Sequence, residues 1–120
     1  MNDCIFCKII DKKIPSQFFY EDENMVIIKD IHPQAKKHFL ALPKKHIHSL
    51  EDLFFSKTDV DAKKLIGDLF NGAIQFAKSE NLLPDGFRSV INTNSFGGQT
   101  VYHLHLHLLG GEPLSGGFGR

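Results

Sequence analysis

From residue 58 to 80 apolar side chains return at steps of three and four: Ala62, Leu65, Ile66, Leu69, Phe70, Ala73, Ile74, Phe76 and Ala77, with lysines and aspartates opposite them. That period predicts one long amphipathic helix. Thr58 with Asp61 three residues later resembles a capping box, Asp59 and Asp61 suit the positive end of the helix dipole, and "ENLLPDG" closes the element. Near the start, "CIFCKIIDKKI" carries apolar residues at 5, 6, 9, 10 and 14, which predicts a short helix ending before Pro15. "QFFYEDENMVIIKD" reads as two strands around the turn Asp22, Glu23, Asn24, and "KHFLALP" as a third, stopped by Pro43, with "DIHPQAKK" as the loop between them. "FRSVINT" and "VYHLHLHLL" predict the last two strands, joined by the glycine-containing loop "NSFGGQT". The sequence carries no internal repeat, and residues 1–120 read as a single domain with a core of 1–109 and an irregular glycine-rich tail, 110–120.

The last strand pattern holds the chemistry. Side chains alternate along a strand, so His103, His105 and His107 are expected on one face, about 6.6 Å apart, while the intervening leucines enter the core. Three imidazoles on one face have two chemical uses. They can hold a zinc ion together with a water, but residues 87–111 contain no Asp or Glu to act as base beside such a centre. Alternatively one neutral imidazole attacks phosphorus while the others hydrogen-bond the oxygens. The adjoining "FGGQT" favours the second use, because glycine-rich backbone can turn several N–H groups toward one anion.

Composition narrows the partners. Lysine plus arginine equals aspartate plus glutamate at 14 each with no block of like charge, so neither nucleic acid nor an acidic membrane surface is an expected partner. No apolar run is long enough to span a membrane, and "MNDCIFCKIIDKK" is too short and charged for a secretory signal, so a cytoplasmic location is expected. The two cysteines, Cys4 and Cys7, then read as half of a metal site, with redox activity and inert thiols as the competing readings. His32, His38 and His48 read as solvated loop or edge histidines.

"GGQTVYHLHLHLLGG" closely resembles the signature His-φ-His-φ-His-φ-φ of the histidine triad (HIT) superfamily, and the glycine pair after it looks like the Hint branch, the histidine triad nucleotide-binding proteins. "IFCKIIDKKIP", "DIHPQAKKHFLALPKKHI" and "VINTNSFGGQTVYHLHLHLLGG" follow that family's order and spacing, so the resemblance covers nearly the whole chain. It implies the HIT fold, an α+β domain in which an antiparallel sheet of about five strands is crossed by the long helix, and a homodimer. It also implies a purine nucleoside phosphoramidase-like hydrolase. Such an enzyme cleaves the P–N bond of purine nucleoside phosphoramidates, or the related bond of acyl- and aminoacyl-adenylates, through a nucleotidyl-histidine. A nucleotide-sensing scaffold with incidental slow hydrolysis is the alternative.

Carried over by resemblance, His105 is the nucleophile, His107 binds the phosphate beside it, and Asn92, Gly98, Gln99 and Thr100 hold the phosphate or its leaving group. Asp30 matches a ribose clamp, and Ile5, Phe6, Ile9, Ile28 and Ile31 match the apolar purine slot. Relatives with Cys-x-x-Cys at this N-terminal position hold a structural zinc, and the matching ligands are Cys4, Cys7, His46 and His103; the chemistry itself needs no cofactor. The C-terminal "GGEPLSGGFGR" departs from the family pattern in lacking tryptophan, with Phe118 as the candidate substitute.

Overall fold

A computed structural model describes residues 3–56 and 59–117; Thr58 of the suggested capping box and Phe118 of the tail lie outside them. In chain order the elements are α1 (Ile5–Ile10), β1 (Tyr20–Glu21), β2 (Met25–Lys29), β3 (Lys37–Pro43), α2 (Leu50–Phe55), α3 (Ala62–Ser79), β4 (Phe87–Val90) and β5 (Leu106–Gly110), with a 3₁₀ turn at Ser95–Gly97 before β5. All strand pairs are antiparallel and the sheet order is β1-β2-β3-β5-β4. No described helix is long and apolar enough to cross a membrane.

Each helix starts on a side-chain cap. Cys4 Sγ accepts the N–H of Cys7, Ser49 that of Asp52, and Asp61 that of Lys64, each relieving one orphan donor of a first turn. Asp61 as cap starts α3 at Ala62, where the apolar period itself begins and four residues after the expected start at residue 58. α2 is absent from the sequence reading, because "LEDLFF" is a single turn and a half and too short to display a period.

The sheet is buried on both faces, and the two faces come from alternate residues of the same strands. On one face Ile27, Phe39, Ala41, Leu106 and Leu108 pack under Leu69, Ala73 and Phe76 of α3. On the other, Val26, Ile28, Leu40 and Leu42 pack under Phe6 of α1. The pairings Ala41↔Leu106 and Leu40↔His107 show the division: one step along β5 crosses from the helix-covered core to the α1 face.

β5 departs from the sequence reading at its start. The ladder begins at Leu106, and residues 101–105 bend away from it, so only His107 of the three histidines stands in the strand. Beyond Leu106 the partner strand runs into Pro43, and its carbonyl is taken by His103 Nε2–H at 2.8 Å instead of by a strand N–H. The 101–105 segment is attached elsewhere, through the N–H of Leu104 to the Ile47 carbonyl at 2.7 Å, while Leu104 packs with Ile47 and Leu53.

Candidate functional site

The histidines lie on the α1 face and at its edge, and proton accounting assigns each ring. A carbonyl can only accept, so His105 Nδ1–H donates to the His103 carbonyl at 2.7 Å. In the neutral ring this leaves His105 Nε2 as a bare lone pair. The acceptor that orients the His105 ring is thus the backbone carbonyl of residue 103, two positions earlier. Phe6 stands edge-on to His105 with ring centroids 5.2 Å apart and closes it from that side. His105 is 8% exposed, and burial pulls its pKa down from the ordinary histidine value, partly opposed by the bond to the His103 carbonyl.

A second chain of protons ends at His107. The N–H of Gln34 donates to His38 Nδ1 at 3.1 Å, so His38 carries its proton on Nε2. That proton points at His107 Nδ1, 2.9 Å away, with Asp30 Oδ2 beside it at 3.4 Å. His107 therefore holds its own proton on Nε2. Burial, followed by the neighbouring His105 and His38, pushes His107 down to about 4, so it is neutral at pH 7. Burial likewise lowers His38, against the pull of Asp30. The two triad rings thus present opposite faces to a ligand: a lone pair on His105 and an N–H on His107, with ring centroids 5.0 Å apart.

His38 is the residue of this cluster that the sequence reading left out. It is 1% exposed, not solvated, because its β3 position faces α1 and it pairs across the ladder with Leu109. The available signal was the alternation of "KHFLALP", which sets His38 on the same face as Leu40 and Leu42.

The remaining predicted residues divide. Asp30 Oδ1 accepts the N–H of His32 at 2.8 Å, fixing the loop, while its second oxygen meets His38. Phe6, Ile9 and Ile28 share one cluster, whereas Ile5 and Ile31 stand exposed at its margin. β4 pairs Val90 with His107, and the chain leaves the ladder there, two residues before Asn92. Asn92 Nδ2 donates to the Gly97 carbonyl at 2.8 Å, and Gly98 takes φ +80°, a conformation that suits glycine.

The loop is not an open nest of N–H groups. Those of Gly97, Gly98 and Gln99 all turn inward to the carbonyls of Asn94 and Ser95. Gln99 is a brace: its amide oxygen accepts from Asn94 N–H and its NH₂ donates to the His48 and Val101 carbonyls. Thr100 is exposed beside it.

Cys4, Cys7, His46 and His103 come together although 99 positions separate the first from the last. His103 Nδ1 lies 3.4 Å from Cys4 Sγ, 3.5 Å from Cys7 Sγ and 3.2 Å from His46 Nδ1, and Cys7 Sγ lies 3.2 Å from His46 Nδ1. Around a tetrahedral ion with bonds of roughly 2.0 to 2.3 Å, neighbouring ligand atoms sit roughly 3.3 to 3.8 Å apart, so this donor set fits one metal ion. The His103 Nε2–H bond to Pro43 fixes the tautomer that turns Nδ1 into the cluster. Burial first, then neighbouring imidazoles, pushes His103 down to about 4 against that bond, which keeps it a neutral ligand. A separate cavity of about 320 Å³ between the β1–β2 turn and α3 contains none of these groups; its lysines Lys44, Lys45 and Lys64 are paired with Glu21, Asp59 and Asp68.

Comparison with known proteins identifies relatives of the whole chain. Residues 3–118 match the family described as "Scavenger mRNA decapping enzyme C-term binding". The chain is 44% identical over 110 residues to Protein HitA of Neisseria gonorrhoeae, covering 92% of this chain and 97% of that one. It is 39% identical over 112 residues to the purine nucleoside phosphoramidase of Escherichia coli K12, covering 93% and 90% respectively. A HIT family hydrolase from Legionella pneumophila superposes with a TM-score of 0.85 at 43% identity, covering 94% of this chain and 96% of that one.

Proposed function

The chain belongs to the histidine triad (HIT) family, and from that premise we propose that it is a nucleotide hydrolase that cleaves the P–N bond of purine nucleoside 5′-phosphoramidates, with His105 as covalent nucleophile. The observation that carries this reading is the opposed protonation of His105 and His107. The bare Nε2 of His105 attacks phosphorus, the N–P bond to the ring forms, and the P–N bond to the leaving amine breaks. The Nε2–H of His107 meets the phosphoryl oxygen where charge develops. The Nε2–H of His107, kept on that nitrogen by the His38 donor, hydrogen-bonds the reacting group; the amine leaves with a proton taken up from solvent and the hydrolytic step returns one, so His107 and His38 keep their ring protons and Asp30 stays beside His38. Water then attacks phosphorus, the bond to Nε2 breaks, and the nucleoside monophosphate departs.

The apolar group Phe6, Ile9 and Ile28, with Ile5 and Ile31 at its margin, suits the base, and Asp30 suits the ribose hydroxyls. Asn92, Gly98 and Thr100 line the phosphate side, with Gln99 holding the loop's shape from within. The likeness to the Escherichia coli phosphoramidase supports this substrate class. Intact mass after rapid quench with adenosine 5′-phosphoramidate should show a gain of one adenylyl group that disappears in the His105→Ala protein. Turnover with no adduct at any quench time would count against the covalent route.

Cys4, Cys7, His46 and His103 are assigned as the ligands of one zinc ion, whose contribution there is structural: it ties the N-terminal helix to the segment carrying the triad. β4 is an edge strand, and α3 leaves Phe70 and Ile74 exposed, two unpartnered surfaces that support a two-fold dimer. Native mass spectrometry reads both assignments at once, with two chains and two zinc ions expected. A monomer sinks the dimer, and fewer than about 0.2 zinc per chain sinks the metal.

A further inference from the structure

We infer that the Cys4, Cys7, His46 and His103 centre sets the orientation of the nucleophile, with His103 as the positioning residue through which it acts. The inference rests on the reading of His105 as nucleophile. His103 belongs to both groups: its ring Nδ1 lies in the metal cluster, and its own carbonyl is the acceptor that fixes the His105 ring. The imidazole of His103 is held at both nitrogens, by the cluster on one side and by the Pro43 carbonyl on the other, and the residue is fully buried.

Residues 101–105 lack the support that a strand would supply. The β5 ladder begins at Leu106, and of the intervening backbone the Leu104 N–H bond to Ile47 is the tie that reaches another segment. The His103 carbonyl shares its peptide plane with the Leu104 N–H, so its direction is set by two ties that both lead to the centre: the bond to the carbonyl of Ile47, next in sequence to His46, and the His103 ring held by the cluster and Pro43. A second line runs through α1. This helix has six residues, too few to hold its shape alone, and both thiols sit on its first turn with Phe6 between them. The Phe6 ring stands edge-on to His103 at 5.9 Å and to His105 at 5.2 Å. Fixing the two thiols fixes Phe6, and Phe6 blocks one side of the nucleophile.

An open centre releases the His103 ring and His46 together, which loosens both ties on the 103–104 peptide and lets Phe6 withdraw. His105 then exchanges between tautomers, and the nitrogen facing phosphorus is no longer always the bare one. The chemical step suffers more than nucleotide binding, since Ile28 and Asp30 are carried by β2 and its following loop and not by the 101–105 segment.

The test compares zinc-loaded protein with protein stripped by a chelator and checked for native circular dichroism. In ¹⁵N-histidine spectra the loaded protein should show His105 as one tautomer, protonated at Nδ1, and the stripped protein should show averaged nitrogen signals. The expected loss in kcat is about 10- to 100-fold, with KM moving by less than about threefold, and added zinc should restore both readouts. If stripping unfolds the chain, exchange of zinc for the larger cadmium keeps the ligands and the fold, and the His105 signals and kcat should then shift together. Unchanged His105 signals and unchanged kcat in either folded form overturn the inference, as does purified protein that neither holds nor takes up metal. Absence of turnover and adduct in the zinc-loaded wild type would instead overturn the nucleophile assignment, while the spectra still judge the positioning.

Discussion

Replacing His105 by alanine is expected to reduce turnover of adenosine 5′-phosphoramidate by about four orders of magnitude or more, because under the proposed covalent mechanism the substitution removes the atom that bonds to phosphorus. Binding of adenosine monophosphate should stay within a few fold, since the apolar slot along α1 and β2 and the Asp30 carboxylate are untouched. The fold should survive as well: Leu104 and Leu106, on either side, keep their places in the two clusters that anchor the segment. Amine release and calorimetric titration of the nucleotide measure the two quantities. Parallel losses of turnover and affinity would mean that His105 binds and does not attack.

The second large effect is expected at His38. In the His38→Phe protein the β3 position keeps an apolar ring of similar bulk, but the donor to His107 Nδ1 disappears. His107 is then free to move its proton to Nδ1, and the N–H at its Nε2, proposed to meet the phosphoryl oxygen, is lost from part of the population. Loss of a hydrogen bond behind an active-site histidine typically costs about 10- to 100-fold, and kcat should carry most of it. The wild-type pH profile has a definite sign. His107 is depressed to about 4 by burial, so its protonation removes activity only as the pH falls well below the ordinary histidine range. The linked stability runs the same way: because the native state favours the neutral ring, it is fully present above about 6.5 and declines toward about 4. An unaltered kcat in His38→Phe would remove His38 from the relay.

The elements that sequence could show were those with a clear pattern. The long helix repeats at 3.6 residues over enough length to be read directly, and the strands Met25–Lys29 and Lys37–Pro43 stand out as short apolar runs bounded by turn residues and Pro43. α2 is too short for that, and the start of β5 depends on where a partner strand stops, which a one-dimensional pattern does not contain. The same limit explains the histidines. Strict alternation suggested three equivalent rings on one face. The structure instead separates them by hydrogen-bond partner: His103 meets Pro43 and the cysteines, His105 meets the carbonyl of residue 103, and His107 meets His38. His38 was overlooked because a lone histidine in a sequence has no visible partner until β3 and β5 are paired.

The division of each strand between two faces has a consequence for how this chain can change. In β5, Leu106 and Leu108 fill the core under α3 while His107 faces the relay, and the register with β3 fixes which residue does which. Substitutions act at one position at a time, but a single inserted or deleted residue between Leu104 and Leu109 would rotate every following side chain to the opposite face, placing imidazole in the core and leucine at the phosphate. Length variation in this molecule therefore belongs to its loops and tail. A library of insertion variants should show an interval without active or folded members that starts at Leu104 and ends where the β5 ladder ends, at Gly110.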